Sequence, residues 1–179
     1  MSTRLVILGL LRDQPLHGYE IKHIIEEQMG DWTSIAFGSI YFALGKLSEE
    51  GMIEMVATEK AGKRPSRSIY QITEAGRAEF LRLLREVWSE AERQYFGVDV
   101  ALAFMNALPA QEIKGYLHQR VAQLEGALHY LDAHQQEQMG QPDIPDSAVA
   151  IFEHSRAHMA AELAWTKELV EKMDQGEFL

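Results

Sequence analysis

The fold is decided by residues 37–77, F-G-S-I-Y-F-A-L-G-K-L-S-E-E-G-M-I-E-M-V-A-T-E-K-A-G-K-R-P-S-R-S-I-Y-Q-I-T-E-A-G-R. Ile40, Leu44 and Leu47 recur at steps of four and three, so they share one buried face of a helix. Ser39, Phe42 and Lys46 then point the other way. Gly51 falls where a left-handed C-terminal cap needs no Cβ. Met52 and Ile53 return the chain to the core. Ile53, Met55 and Ala57 alternate with Glu54, Val56 and Thr58, the period of a strand. A second β-like run spans Ser68 to Ile72, where Ile69 and Ile72 bracket Tyr70. Between the runs, Lys60, Lys63, Arg64 and Arg67 place four cations and no acid on a tip. Gly62 turns that tip and Pro65 stiffens it. Thr73 is an N-cap, with Glu74 in the first turn of the next helix. Helix, basic hairpin and helix in this order predict a winged helix, with the first helix in a DNA major groove and the hairpin cations on phosphates.

The flanking sequence extends the pattern. Arg4 to Arg12 is apolar nearly all round and predicts a buried helix, broken by Asp13-Gln14-Pro15. His17 to Met29 is amphipathic through Ile21, Ile24 and Ile25. Trp32 and Phe37 are expected core anchors of the connection that follows. The helix from Glu74 is expected to run towards Tyr95, with Phe80, Leu81, Leu84, Val87 and Trp88 on one side.

Three motifs in order now carry a resemblance. They are L-G-L-L (8–11) with P-L-H-G-Y-E-I (15–21), G-S-I-Y-x-A-L-x-K-L-x-E-E-G-M-I (38–53), and G-K-R-P-S-R-S-I-Y-Q-I-T-E-A-G-R (62–77). Over these roughly seventy residues the chain resembles the DNA-binding domain of the PadR family of bacterial transcriptional regulators. Where the family pattern has proline after S-I-Y, this chain has Phe42. The rest resembles, by pattern, the helical C-terminal domain of the longer PadR members. The resemblance implies a homodimeric repressor on a palindromic operator, and an aromatic effector pocket of the kind several members use for phenolic or drug-like molecules.

Composition limits the alternatives. The chain has 179 residues, 46% of them hydrophobic, enough to bury one or two small cores. No apolar run approaches the ~18 residues of a membrane span. The apolar amino terminus is short and lacks an A-x-A site, so no signal peptide is expected. The absence of cysteine excludes disulfides and thiolate metal sites and fits a reducing, cytoplasmic compartment. The net charge of −10 is uneven. Residues 1–76 hold eight Lys and Arg against ten Asp and Glu, and residues 77–179 hold nine against seventeen. With a Debye length of ~8 Å, a basic tip acts locally despite a distant acidic body. That body should still lower non-specific DNA affinity.

The acidic half reads as helices. A piece from Val98 to Leu108 precedes Pro109, which suits a helix start. Leu117, Val121, Leu124, Leu128 and Leu131 then form one stripe. G-Q-P-D-I-P (140–145) is a linker. Asp146 or Ser147 caps a last helix, whose Val149, Phe152, Arg156, Met159, Leu163, Thr166, Val170 and Met173 repeat at three and four. Such seams suit an antiparallel pair and can also meet a second subunit. The expected architecture is mostly α with a small β-hairpin. Residues 1–95 form a winged-helix DNA-binding domain with a linking helix, and residues 96–179 form a helical dimerisation and effector domain.

Specific roles follow from this reading. DNA contacts are expected from Tyr19, Ser39, Tyr41, Phe42, Lys46, Lys60, Lys63, Arg64, Arg67 and Tyr70, with the three tyrosines as phosphate donors. Arg64 could instead reach a minor groove. Phe42 cannot share the buried face of its helix, so it either touches bases or lies beneath the wing or first helix as peripheral core. Trp88, Tyr95, Phe96, Met105 and Trp165 are expected around an effector, against the plainer reading of ordinary core packing. Leu117, Leu124, Leu128, Phe152, Met159 and Leu163 are expected in the dimer interface. Neither cofactor nor metal is called for. A rival class does exist: His154, His158 and Glu162 fall at steps of four on one helix face and could chelate a metal in a binding or hydrolytic protein. The plainer reading there is a polar flank, since Ser155 stands where a catalytic Glu would be. His17 and His23 are expected to be structural or phosphate-facing. A second rival is a winged helix used only for protein contact. No G-x-S-x-G, Walker loop or G-x-G-x-x-G is present, so no enzyme is expected.

Overall fold

The computed structural model describes residues 3–30, 32–59, 67–91, 93–139 and 145–177, with only the backbone described at 58, 59, 67, 138 and 139. The chain divides into two compact units, 1–93 and 94–179. The first contains α1 (Thr3–Leu11), β1 (Leu16–His17), α2 (Gly18–Gln28), α3 (Phe37–Glu49), β2 (Ile53–Glu59), β3 (Arg67–Ile72) and α4 (Glu74–Ser89). The second contains α5 (Gly97–Ala103), a 3₁₀ turn (Met105–Ala107), α6 (Ala110–Met139) and α7 (Asp146–Asp174). The chain is thus mostly helical with one small antiparallel sheet, as expected.

The first unit condenses on one apolar cluster. Ile7, Leu8 and Leu11 of α1 meet Ile21 and Ile25 of α2, Ile40, Leu44 and Leu47 of α3, and Ile53 and Ile72 of the sheet. Each fully buried Leu or Ile contributes about 1.5–3 kcal/mol by leaving water. The α3 stripe read from the sequence is therefore the core face of that helix. The helix then stops in a Schellman motif. Gly51 adopts φ +71°, its N–H donates to Ser48 O at 3.1 Å, and Met52 N–H donates to Leu47 O at 2.8 Å.

Sheet order is β1-β3-β2. Leu16 and His17 pair with Tyr70 and Ile69, a strand the sequence reading assigned to turn and helix. His17 then caps α2 in a capping box. Its Nδ1 accepts from Glu20 N–H at 3.2 Å, and its own N–H donates to Glu20 Oε2 at 2.9 Å. Of the two roles expected of His17, structural or phosphate-facing, the cap is a structural one. The β2 register shifts between Met55 and Ala57, leaving Val56 as the extra residue of a bulge. Strict alternation fails there, and Met55 and Ala57 are exposed rather than buried.

Other expectations are corrected by burial. Trp32 and Phe37 are 38% and 54% exposed, so neither anchors the core. On α4, Phe80 and Leu83 pack on the cluster, while Leu81, Val87 and Trp88 are exposed. That helix ends at Ser89 because Glu90 turns extended (φ −110°, ψ 126°), so Tyr95 lies beyond it.

In the second unit α6 and α7 pack antiparallel. Ion pairs mark the direction: Lys114 with Asp174, Lys167 with Glu125, and Arg156 with Asp132. Leu117, Leu169, Val170 and Met173 form the buried centre, with Leu102, Ile113, Val121 and Trp165 against it.

The tightest joint of the first unit lies where α4 begins. Thr73 N–H donates to Met52 O at 3.0 Å, Thr73 Oγ1 donates to Gly51 O at 2.7 Å with Met52 O beside it at 3.0 Å, and Gly76 N–H donates to Thr73 Oγ1 at 3.1 Å. A Cβ on Gly76 would stand 2.0 Å from Met52 O and 2.8 Å from Ile72 Cγ1. Alanine ordinarily favours a helix over glycine by about 1 kcal/mol. Gly76→Ala is expected to do the opposite, destabilising the first unit by about 3 kcal/mol or more. Urea unfolding followed by circular dichroism checks it.

Candidate nucleic-acid interface

The face of interest is the outer side of α3 with its neighbours on α2. Ile40, Ala43, Leu44 and Leu47 are buried, which turns Phe42 outward at 69% exposure. The peripheral-core alternative for Phe42 is thereby removed. Tyr41 is 45% exposed, yet its ring is firmly held. A Cβ on Gly18 would lie 3.0 Å from Tyr41 Cε1 and 3.3 Å from Leu44 Cδ1. The missing side chain at the start of α2 therefore makes room for the Tyr41 ring. Phe37 packs on its other side, with ring centroids 4.9 Å apart, and Lys22 Nζ lies 5.0 Å from the Phe37 centroid. Tyr19 is exposed on α2, stacked on His23, which also meets Glu27 at 3.1 Å. Tyr70 is half-buried and packed against the core, the least available of the three tyrosines.

The described cations of this unit are mostly engaged by carboxylates. Arg4 meets Glu50 at 2.7 Å and holds its carboxyl below the usual carboxylate range by a side-chain hydrogen bond. Arg12 meets Asp13, and Arg82 meets Glu79 and Glu86. Lys46 Nζ donates to Glu49 at 2.7 Å, a hydrogen bond that raises the lysine above its ordinary range. That pair is exposed on both sides, so exchange of Glu49 for a phosphate costs little. Ser39 Oγ donates back to Ala36 O at 2.6 Å. Lys60, Lys63 and Arg64 lie outside the described residues, and Arg67 is described in backbone only, as the first residue of β3.

The second unit holds a cavity of about 450 Å³ between α5, α6 and α7. Its walls are Leu102, Met105, Ile113, Leu117, Leu169 and Met173, with Tyr116, Gln119, Arg120 and Gln123 as polar members. Arg120 is already bound to Glu162 of α7. Of the five residues expected around an effector, Met105 lines this cavity, and Trp165 packs against the adjoining core. Tyr95 and Phe96 are exposed in the same unit, and Trp88 is 84% exposed at the end of α4 in the other. Sequence periodicity missed Ile113, Tyr116 and Arg120 as lining residues, because the cavity forms where α5 turns back on α6.

The residues expected in a dimer seam divide in two. Leu117 is buried in the unit's own core. Leu124, Leu128, Phe152, Met159 and Leu163 remain half-buried. The proposed metal triad comes apart: Glu162 is taken by Arg120, while His154 and His158 face each other with Nε2 atoms 3.2 Å apart. Among the described residues no group of three or more His, Cys, Asp or Glu could hold a metal ion. Nor is any described helix long and apolar enough to cross a membrane.

A helix-turn-helix pair backed by a three-stranded sheet with a projecting β2–β3 hairpin defines a winged-helix protein. Comparison with known proteins agrees. Residues 7–82 match the Transcriptional regulator PadR-like family. The negative transcriptional regulator PadR of Bacillus subtilis (strain 168) is 37% identical over 73 residues, which is 41% of this chain and 40% of that protein. The structure of Bacillus subtilis PadR in complex with operator DNA aligns with a TM-score of 0.79 at 22% identity, covering 95% of this chain and 98% of that one. The same protein in complex with p-coumaric acid aligns at 0.73 and 22% identity, covering 96% and 94%. Residues 7–82, which lie within the first unit, are the part of the chain that matches the family.

The Gly18–Tyr41 contact can be tested directly. Gly18→Ala is expected to destabilise by about 1–3 kcal/mol through crowding against Tyr41 and Leu44. Tyr41→Ala in the same chain should recover part of that loss. A double-mutant cycle by chemical denaturation, with a coupling of at least about 0.5 kcal/mol, is the expected outcome.

Proposed function

We propose that the protein is a homodimeric, sequence-specific DNA-binding regulator, most simply a repressor, that docks α3 of each subunit into successive major grooves of a palindromic operator. The observation that carries this reading is the outer side of α3, where Phe42, Tyr41 and Lys46 are presented from a helix whose opposite face is the core. Tyr19 and Tyr41 donate to phosphates, Ser39 and Lys46 border the groove, and Tyr70 supports the wing from its half-buried position. Lys60, Lys63, Arg64 and Arg67 supply the wing's charge. The related Bacillus subtilis PadR, a negative regulator with a structure in complex with operator DNA, supports both the DNA partner and the direction of control. No catalytic step is assigned.

The C-terminal unit holds the dimer through the half-buried Leu124, Leu128, Phe152, Met159 and Leu163. Its cavity accepts a small, largely apolar effector, a reading supported by the apolar walls and by the p-coumaric acid complex of the Bacillus subtilis protein. Such a molecule shifts the dimer between DNA-fitting and non-fitting forms only by its differential affinity for the two.

Two measurements test this. Lys63→Ala with Arg64→Ala should weaken binding to every duplex and flatten the plot of log affinity against log salt by about two per wing, at ~0.9 for each phosphate contact. An unchanged slope removes the wing from the interface. Leu128→Glu should convert a dimer at micromolar concentration to monomer or unfold the C-terminal unit, as read by sedimentation. A wild-type chain that sediments as a monomer with and without DNA defeats the paired-groove geometry.

A further inference from the structure

The outermost stripe of α3 is Gly38, Phe42, Gly45 and Glu49, at steps of four, three and four. It lies directly opposite the buried Ile40, Ala43, Leu44 and Leu47. Neither stripe glycine is required from inside the protein. Among the described glycines only Gly51 and Gly176 adopt positive φ. A Cβ built on Gly38 or on Gly45 would meet nothing within 4 Å. Gly45 nevertheless stands mid-helix, where glycine is less favourable than alanine. No contact within the described fold accounts for it, and it borders the exposed Phe42. Bare backbone above and below one protruding phenyl ring lets another surface come close to the helix with that ring as its leading point.

Hydrogen-bond readout from this face is meagre. Ser39 Oγ is turned back onto Ala36 O, Lys46 is held by Glu49, and Glu50 is held by Arg4. No Arg, Asn or Gln lies between Phe37 and Glu49. What the stripe offers a major groove is shape and an apolar contact. The apolar group on the major-groove edge of a natural base pair is the thymine 5-methyl. We propose that Phe42 is a specificity-determining residue that reads a thymine methyl in each half-site, and that Gly38 and Gly45 let α3 lie deep enough to seat it. This rests on the DNA-binding reading above.

The test uses the full chain. Duplexes are first selected from a random pool to give a preferred site, and each thymine is then replaced in turn by deoxyuridine, which removes only the methyl. Wild type is expected to lose about four-fold in affinity at one thymine per half-site, the worth of one buried methyl group. Phe42→Ala should be indifferent to uridine at that position while keeping the wild-type melting temperature and salt slope. Gly45→Leu should weaken binding to the preferred site without lowering thermal stability, the reverse of what a structural glycine would show. A flat uridine scan with wild type, or the same penalty retained in Phe42→Ala, overturns the proposal and leaves the regulator reading standing. Failure to select any duplex removes both.

Discussion

One carbonyl oxygen organises the first unit. Met52 O receives the Thr73 amide and lies where a Gly76 side chain would have to go, while the Thr73 hydroxyl turns to the adjacent Gly51 O. Four things converge there: the turn that ends α3, the start of β2, the end of β3 and the first turn of α4. Because the contact is backbone against backbone, it admits no rotamer adjustment. The exit of α3 is thereby tied to the root of the hairpin at β2 and β3. Neighbouring ion pairs reinforce it at longer reach, since Arg4 of α1 bridges Glu50 after α3 and Glu79 of α4.

Much of this was legible because it is local. The steps between Ile40, Leu44 and Leu47, the glycine after Glu50 and the threonine before Glu74 are each decided within one or two turns of chain. The family resemblance and the mixed, mostly helical fold were legible for the same reason, since the motifs hold these caps and stripes in order. What failed depends on partners far away in sequence. A two-residue strand at Leu16 exists only because Tyr70 and Ile69 come to meet it. Trp32, Phe37 and Trp88 are large and apolar, and their size alone suggested burial. Phe37 and Trp88, however, stand at the first and last turns of their helices, where the core face runs out. Met55 lost its alternation to a bulge that no single strand announces.

The candidate site was legible unevenly. Tyr41, Phe42 and Lys46 could be placed outward from the helical period, but the glycine seat for the Tyr41 ring needed α2 in place. In the second unit the two long stripes were visible, and their mutual packing is written in the Lys114–Asp174 and Arg156–Asp132 pairs. Which residues turn toward the cavity was hidden, because α5 is too short to show a period and its fold-back is a tertiary event. Charge was the least decisive signal: most of the net −10 lies beyond Arg77, and the cations described near α3 are paired one by one with adjacent carboxylates.

The sheet order carries a further consequence, for life at high concentration. With β3 in the middle and β1 on one flank, β2 is left as an open edge, and hairpins of two molecules could in principle zip together along it. The Val56 bulge interrupts the ladder at the middle of that strand, and exposed Glu54 places a charge on it. The irregularity that spoiled the alternation thus works as a guard against aggregation.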